Sequence, residues 1–568
     1  MPPQANAIAN NDVAMLAWSY DNPIPGCLGF AIYRKEGDIP GPGQGEPLPA
    51  WVGFQGQTNP AWTKNTTEVW PIQKFQWNDL TATRGKTYGY RIVPMVGTPE
   101  AMTKQDGQAA TCGPVTLTPQ RGCFATYFNR GILSSQFVAH QLPVDASGRP
   151  DYKVLTDRID QPGDPLRQAL AGQILEGLES LLDLALQEGG SCYAALYELN
   201  DPELLQKLLN LPSLHLILSN TGTDDKENTS ARQALHEKGI DIIDRFVPSG
   251  HIGHNKFVVY VDPNNQPGAV LLGSTNWTDT AICAQSNNAL LVKNPELAQA
   301  HLDYWQRLRK DTNPAGRGPQ GPDLRQADAS PGARDVAVDS GKATVWFSPN
   351  SKGPRPSPRK PDEPTPVDLS EVFSLMDQAK EGILFLVFQP GVPSIVDKAA
   401  EVANANPNLF VRGAATDPKA VNEFNTVLVH RAGEDPVEVV VASAITDQFS
   451  FWERELLKAS PGAHAIIHDK IVVIDPMSAD SVVVTGSHNL GYRASCNNDE
   501  NLLIVRGHQE LAQAYAVHVM DVYDHYRFRY QQQLHGDHAF TGLDPTDAWQ
   551  QKYFDPTNPA SHDNAVWL

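Results

Sequence analysis

Short runs in which apolar and polar residues alternate dominate the first 118 residues of the chain. Examples are VAMLAW at 13–18, GFAIYRKE at 29–36 and TYGYRIVPMV at 87–96, separated by stretches rich in Pro and Gly. A period of two residues is typical of strands that bury one face, and several such strands divided by turns favour a β-sandwich. We therefore expect residues 1–118 to form an all-β domain with a packing or partner-binding role and no catalytic residues.

The pattern changes at about residue 119, where helical and strand-like segments begin to alternate. Residues 164–190 carry apolar positions at helical spacing, and CYAALYEL and LHLILSN then look like buried strands. The same alternation returns after residue 341, with a strand at 342–350, a helix at about 368–381 and the strands GILFLVFQP and NLFVRGAA. Alternating helices and strands indicate α/β layers.

The segment between these two α/β blocks is rich in Pro, Gly and charge, which is typical of linkers and surface loops. We place the linker at 312–340, between a first α/β unit at 119–311 and a second at 341–532. Residues 533–568 form an acidic, aromatic tail that we expect to pack on the surface, with capping of a cleft as the alternative.

Four short blocks recur in the same order in the two α/β units. HNK at 254–256 returns as HDK at 468–470, GSTN at 273 as GSHN at 486, NALLV at 288 as NLLIV at 501, and ELAQA at 296 again at 510. The copies are 213 or 214 residues apart throughout. A nearly constant offset over four blocks indicates an internal duplication.

The repeated His-x-Lys block carries chemistry suited to phosphate. In IIHDKIVVID the i, i+2 spacing places His468 and Lys470 on one face of a strand, and His254 and Lys256 repeat this in GHNKFVVYVD. A lysine neutralises phosphate charge, while a histidine attacks phosphorus or transfers a proton. The Gly-Ser-x-Asn turns that follow add hydroxyl, amide and backbone donors. One such pair alone is usually a surface feature, so the duplication is what makes the pattern informative.

These motifs resemble the two H-x-K-x4-D motifs, each with a downstream G-S-x-N, of the phospholipase D superfamily, over about residues 119–530. The second copy fits at every signature position: His468, Lys470, Asp475, Gly486, Ser487 and Asn489. In the first copy Asp262 lies one residue later than the family spacing from Lys256. Glu500 matches an acidic residue that often follows the motif, whereas the first copy has Asn287 there, so we expect the halves to play unequal roles.

The resemblance implies a fold of two duplicated α/β/α units side by side, with one active site on their pseudo-twofold axis. It also implies that one histidine becomes a covalent phosphohistidine while the other protonates the leaving group, with no metal or other cofactor. The catalytic set carried over is His254, Lys256, Asn276, His468, Lys470 and Asn489. Ser274 and Ser487 are expected to bind the substrate phosphate, and Asp262, Asp475 and Glu500 to support the site.

For the two histidines we predict that His254 is the nucleophile and His468 the general acid. The reverse is the alternative, because we expect Glu500 to raise the basicity of His468. Since both motifs lie in one chain, the protein is expected to be active as a monomer.

Net charge bears on the choice of substrate. The chain has 45 Lys and Arg against 65 Asp and Glu, a net charge of −20, which disfavours non-specific binding of polyanions. We therefore expect a phospholipase D-like phosphoric diester hydrolase acting on a phospholipid, by hydrolysis or by transfer to an alcohol. A nuclease of the same superfamily cleaving DNA or RNA is the alternative, because GSTNWT is more similar to the nuclease-leaning branches. The third alternative is a binding protein whose active site no longer catalyses a reaction.

The N-terminal block resembles a fibronectin type III domain, with Trp18 in the second strand, GFAIYR in the third and TYGYRI near the sixth. Its Pro-rich insert at 37–60 departs from that family's pattern.

The remaining features concern location and covalent chemistry. The N-terminus lacks the pattern of a secretory signal, and no apolar stretch reaches 18 residues, so we expect a cytoplasmic protein without a transmembrane segment; leaderless export is the alternative. The six cysteines are scattered, which favours neither a zinc site nor a dense disulfide framework. A bridge between Cys112 and Cys123 is the alternative to reduced thiols.

Overall fold

The structure is a computed structural model of the 568-residue chain. It describes residues 3–57, 63–130, 152–220, 224–313, 320–357, 359–388, 394–406, 408–416, 439–441, 467–535 and 542–568, together with the single residues 59, 143, 318 and 391.

The N-terminal domain is all-β, as expected. Its strands are β1 (Gln4–Ala9), β2 (Ala14–Ser19), β3 (Cys27–Glu36), β4 (Glu46–Pro47), β5 (Pro49–Ala50), β6 (Asn65–Thr66), β7 (Gln76–Asp79), β8 (Thr87–Thr98), β9 (Ala101–Lys104) and β10 (Ala110–Thr116). One sheet has the order β1-β2-β7, and a second has the order β10-β8-β3-β4 with β9 on β8. Trp18 is fully buried and packs edge-on to Phe30, with ring centroids 5.3 Å apart. The likeness to fibronectin type III stays a prediction.

The first α/β unit is built on an eight-stranded sheet. Its strands are β11 (Gln120–Arg121), β12 (Phe124–Phe128), β13 (Ser191–Leu196), β14 (Leu214–Ser219), β15 (Asp241–Arg245), β16 (Lys256–Val261), β17 (Pro267–Gly273) and β18 (Asn288–Val292). Its helices are α1 (Tyr152–Ile159), α2 (Pro165–Ala171), α3 (Ile174–Glu188), α4 (Pro202–Asn210), α5 (Asp224–Glu237), α6 (Asp279–Cys283) and α7 (Pro295–Asp311). The strand order is β11-β12-β18-β17-β16-β13-β14-β15, with β13, β14 and β15 parallel.

The second α/β unit repeats this sheet. Its strands are β19 (Ala333–Val338), β20 (Gly341–Ser348), β21 (Gly382–Val387), β22 (Phe410–Ala415), β23 (Val439–Val441), β24 (Ile471–Ile474), β25 (Val482–Gly486) and β26 (Glu500–Arg506). Its helices are α8 (Pro322–Asp328), α9 (Val367–Asp377), α10 (Ile395–Ala405), α11 (Tyr492–Cys496) and α12 (Gln509–His535), and α13 (Gln551–Phe554) follows in the tail. The order β19-β20-β26-β25-β24-β21-β22-β23 matches the first sheet strand for strand. The predicted pair of duplicated α/β units is confirmed.

The two units share a hydrophobic core between their sheets. Helix α7 contributes Trp305 and helix α12 contributes Tyr515 to one continuous cluster, which also includes Val259 of β16 and Val473 of β24. Separate clusters fill the outer faces, under α1–α5 on the first sheet and under α9 and α10 on the second. Strands covered on both faces are apolar along their whole length, which is why FVVYV and IVVI show no alternation.

The proposed linker is more ordered than its composition predicts. Helix α8 and strand β19 both lie within 312–340, and β19 pairs with β20 as the edge strand of the second sheet. In β19 Ala333, Val336 and Val338 are buried and the other three residues are exposed, and the surrounding Pro and Gly hide this short pattern. The second unit therefore begins before residue 341.

The C-terminal tail packs on the N-terminal domain, as expected. The Trp549 indole N–H donates to the Cys27 carbonyl at 2.9 Å, and its ring lies 5.6 Å from that of Phe75. Near the end of the chain, Trp567 packs edge-on to Phe410 of the second unit, with ring centroids 5.7 Å apart. The tail thus joins the first domain to the last one.

All six cysteines are free thiols in the structure, so the alternative of a Cys112–Cys123 bridge finds no support. Within the described ranges, none of the helices has both the length and the apolar character needed to span a membrane.

Candidate active site

The two His-x-Lys motifs lie where β16 and β24 begin. Lys256 is the first residue of β16, and Lys470 directly precedes β24, so the histidines stand just before the strands rather than within them. The side chains of His254, Lys256, His468 and Lys470 are all at least 95% buried. Burying two ammonium groups costs free energy unless negative charge compensates them. This is therefore the expected place for an anionic substrate.

The histidines face each other across the boundary between the units. Their ring centroids are 6.5 Å apart. The backbone N–H of His254 donates to the Asp499 carbonyl, and that of His468 donates to the Ser286 carbonyl, each at 3.0 Å. Each motif is therefore hydrogen-bonded to the opposite unit, and the structure brings both predicted histidines into one site.

The side-chain partners of the histidines are also exchanged between the units, which overturns one expectation. Glu500 Oε2 lies 2.8 Å from His254 Nδ1, not next to His468 as predicted. His468 Nδ1 instead lies 2.9 Å from the amide oxygen of Asn287. Sequence alone places Asn287 and Glu500 at equivalent positions, but it does not show that each serves the histidine of the other half.

Burial and the two lysines set the charge of the site. The pKa of His254 is lowered well below its ordinary value by burial and by Lys256 and Lys470. The same causes lower the pKa of His468, and burial followed by the charge of Lys256 lowers that of Lys470. Burial raises the pKa of Glu500 to about 7. Both imidazoles are therefore neutral at pH 7 when the site is empty, as a nucleophile must be.

Two aromatic rings that no sequence motif marks flank the lysines. Lys256 Nζ donates to the His254 carbonyl at 2.8 Å and lies 4.8 Å from the centre of the Tyr197 ring. Lys470 donates to the His468 carbonyl in the same way and lies 5.6 Å from the Phe388 ring centre. Both rings directly follow equivalent strands, β13 and β21. Cation–π contact helps to hold a buried ammonium group beside the reacting centre.

The hydroxyl groups of the two motif serines contact the side chains that pair with the histidines. The Ser274 hydroxyl donates to the amide oxygen of Asn287, and the Ser487 hydroxyl donates to Glu500, each at 2.8 Å. Each oxygen also accepts a backbone N–H, from Asn288 or Asn501, at 3.0 Å. A hydroxyl whose single proton is used in this way orients the histidine's partner. Phosphate binding by the two serines stays a prediction.

The two motif asparagines present amide groups at the site. The side-chain carbonyl oxygens of Asn276 and Asn489 are buried and have no hydrogen-bond partner among the described residues. The Asn276 amide N–H₂ donates to Glu198, a half-buried carboxylate that the sequence analysis missed. Buried amide groups left unsatisfied in this way indicate that a polar ligand completes the site.

Both Gly-Ser-x-Asn turns need their glycine. Gly273 and Gly486 have φ angles of +153° and +142°. A Cβ atom at either position would lie 2.3 Å from a carbonyl oxygen, of Asn288 or of Asn501 respectively. The close approach of these backbones places each serine against its partner.

The two motif aspartates support strand connections and not the histidines. Asp475 lies at the far end of β24 and accepts the backbone N–H groups of Lys380, Glu381 and Gly382 at 2.8–3.1 Å. Asp262 accepts those of Asn264 and Gln266 within the turn between β16 and β17. The one-residue slip of Asp262 therefore changes a turn and leaves the active site untouched.

Part of the chain matches a known family. Residues 373–521 match the family model described as cardiolipin synthase, PLD-like domain. This range lies in the second α/β unit and includes His468, Lys470, Asn489 and Glu500. No curated protein sequence matches the chain.

Several solved structures resemble the chain at low sequence identity. The polyphosphate kinase of Porphyromonas gingivalis is 11% identical over 58% of this chain, which covers only 45% of that protein, with a TM-score of 0.34. The phosphatidylserine synthase of Haemophilus influenzae is 13% identical over 62% of this chain and 84% of its own, with a TM-score of 0.39. Nuc of Salmonella typhimurium, a phospholipase D family member, is 22% identical over 25% of this chain and 90% of its own, with a TM-score of 0.20. At these TM-scores the likenesses do not bear on activity.

Proposed function

We propose that the protein is a metal-independent phosphodiesterase in which both histidines act on one phosphodiester through a covalent phosphohistidine. The observation that carries the proposal is the crossed pair of contacts, His254 with Glu500 and His468 with Asn287, at 6.5 Å between the imidazole rings. The match of residues 373–521 to a PLD-like domain supports the same chemistry.

In the first step His254 attacks the phosphorus atom. Its Nδ1–H donates to Glu500, so the lone pair is on Nε2, where the P–N bond forms as the P–O bond to the leaving group breaks. His468, held through Nδ1–H by Asn287, donates its Nε2 proton to the leaving oxygen. The negative phosphate between Lys256 and Lys470 offsets their charge, so His468 takes up this Nε2 proton from solvent when the substrate binds.

In the second step a water molecule releases the phosphoryl group. His468 Nε2 takes the proton of the water, the oxygen attacks phosphorus, and the P–N bond to His254 breaks. The products are a phosphomonoester and the free enzyme; an alcohol in place of water gives a new diester. Each lysine ammonium donates one N–H to a histidine carbonyl, and its positive charge stabilises the phosphate oxygens.

The unequal partners favour His254 as the nucleophile. A carboxylate on Nδ1–H increases the electron density at Nε2 and stabilises the positive ring that forms during attack. An amide oxygen does this less, so His468 keeps the lower basicity that suits a proton donor. The departure at Asn287 thus supports unequal roles for the two halves.

The test uses bis-(p-nitrophenyl) phosphate in EDTA with the wild type, His254→Asn and His468→Asn. Because p-nitrophenolate leaves without protonation, His468→Asn is expected to release one equivalent and accumulate a phosphoryl adduct on His254, detectable by mass spectrometry. An adduct on residue 468 and none on 254 would reverse the roles. Wild-type activity that disappears in EDTA while His468→Asn stays active would refute the phosphohistidine mechanism.

For the substrate we propose a phospholipid first and a nucleic acid second. The net charge of −20 supports this order, because polyanion binding gains its affinity from many cationic contacts. Phosphatidylcholine vesicles and single-stranded DNA, assayed side by side with the nitrophenyl diester, separate the two. Cleavage of DNA without cleavage of lipid selects the nuclease, and inertness towards all three compounds favours the binding protein.

A further inference from the structure

A cavity lies away from the catalytic histidines, lined mainly by three parts of the chain. Its volume is about 530 Å³. The N-terminal domain contributes residues 74–78, helix α12 contributes residues between 520 and 528, and the tail contributes residues between 552 and 564. None of the proposed catalytic residues lines it. We call it the junction cavity.

Cationic groups outnumber carboxylates in the junction cavity. Among the described residues, five lysines and arginines line it against three aspartates, although the chain as a whole carries a net charge of −20. Two of the arginines are already paired, Arg130 with Asp521 at 3.0 Å and Arg412 with Asp563 at 2.7 Å. The unmatched charge must therefore come from the remaining lining groups.

Those remaining groups are Lys74, Arg527 and Lys552, with Asp524 as the one carboxylate left to them. Within the described chain none of the three cations forms an ion pair. The pKa of Lys552 is lowered by burial and by the charges of Lys74 and Arg527, so the cations repel one another when the cavity is empty. Three cations and one carboxylate leave two positive charges for a ligand to neutralise.

One of these cations also has an unused donor. The Nε–H of Arg527 is buried and has no hydrogen-bond partner among the described residues. Leaving a buried guanidinium N–H unpaired costs free energy, so such groups usually mark a position that a ligand or water fills. The guanidinium plane is suited to binding a phosphate through two parallel hydrogen bonds.

Aromatic rings also line the junction cavity. Phe75 and Tyr553 pack edge-to-face with ring centroids 5.0 Å apart, and Trp77 is a further lining residue. Phe528, which is 51% exposed, adds a further ring to the lining. These rings can pack against a flat apolar group of a ligand next to the cationic cluster.

We propose that the junction cavity binds a phosphomonoester that carries a flat ring system, of the size of a mononucleotide. A phosphomonoester has a charge near −2 at pH 7, which matches the two uncompensated positive charges. A carboxylate supplies only one charge, and a phosphodiester also only one. The volume lies within the range of small-molecule sites. This inference does not depend on the proposed phosphodiesterase activity.

The experiment measures binding of AMP to the full chain by isothermal titration calorimetry, with adenosine and inorganic phosphate as partial probes. We expect one AMP per chain and weaker binding of both fragments. Arg527→Gln and Lys552→Gln should each weaken AMP binding about tenfold, since each removes a charge-assisted hydrogen bond. Ala560→Trp, which fills the cavity without a change of charge, should abolish binding.

Two controls separate the junction cavity from the catalytic site and from general charge effects. Lys310→Gln removes a cation that is 81% exposed on α7, and it should leave AMP binding unchanged. His254→Asn should also leave it unchanged. AMP binding that survives Arg527→Gln and Ala560→Trp, or that is lost in His254→Asn, overturns the proposal, as does the absence of any AMP binding to the wild type.

Discussion

The two halves of the site differ most at Glu500, which contacts a histidine 246 residues earlier in the chain. As a positioning residue it acts through His254 and does not touch the substrate. Glu500→Gln should therefore lower kcat for the nitrophenyl diester about 100-fold and leave KM nearly unchanged. Steady-state kinetics test this, with Glu510→Gln, the same change at an exposed position on α12, as the control. An unchanged kcat would show that the contact does not orient the nucleophile.

The same carboxyl group should make stability depend on pH. Burial raises its pKa from 4.5 to about 7, so between these values the folded protein holds a proton that the unfolded chain releases. The contribution of Glu500 to the free energy of unfolding is complete below pH 4.5 and declines as the pH rises through 7.

Glu500→Gln has no such group, so its stability relative to the wild type should increase with pH. The gain between pH 4.5 and pH 8 should reach about 3 kcal/mol at most. Urea unfolding of both proteins at the two pH values measures it. A difference that stays constant with pH would mean that Glu500 keeps an ordinary pKa.

At the residue scale the sequence predicts the reacting groups but not the side chains to which they are hydrogen-bonded. His254, Lys256, His468 and Lys470 could be predicted because duplication and spacing identify them together. The pairing of His468 with Asn287 could not, because it depends on which strand of one unit meets the other. The motif spacing predicts phosphate binding by the two serines for the same reason: it places them near the site without giving the direction of their hydroxyl groups.

At the scale of elements, the two motif aspartates offer a matched comparison. Asp475 is buried, has a φ angle of +47° and accepts three backbone N–H groups at the start of β21, whereas Asp262 lies half-buried in a hairpin turn. Asp475→Asn should lower the free energy of unfolding by about 1–3 kcal/mol, and Asp262→Asn by less than about 1 kcal/mol.

Thermal unfolding compares the two variants, and kinetics at 25 °C complete the test. Because Asp475 lies at the end of β24 away from His468, kcat of the folded variant should equal that of the wild type. A large loss of kcat at unchanged stability would instead place Asp475 in the catalytic machinery.

Strands buried on both faces were the easiest elements to predict, since GILFLV and IVVI have no other stable environment. Strand β19 was missed because an edge strand needs few apolar residues and lies within a Pro- and Gly-rich segment. Composition averages over such a segment and so hides a six-residue strand.

At the scale of the whole molecule, one chain supplies both histidines and both lysines of the site. We therefore expect specific activity to stay constant on dilution, from a concentration at which any oligomer persists to one at which only the monomer remains. Assays across a dilution series, with size-exclusion chromatography of the same samples, test this. Activity that falls as an oligomer dissociates would show that a second chain is needed.

The exchange of side-chain partners between the units, His254 with Glu500 and His468 with Asn287, has a consequence for how the chain can change over evolutionary time. After the duplication neither copy was free to diverge alone. A substitution at position 287 changes the hydrogen bond of the histidine at 468, and a substitution at position 500 changes that of the histidine at 254. Covariation among homologues should therefore join positions 254 with 500 and 287 with 468, more strongly than either histidine with the equivalent position in its own half.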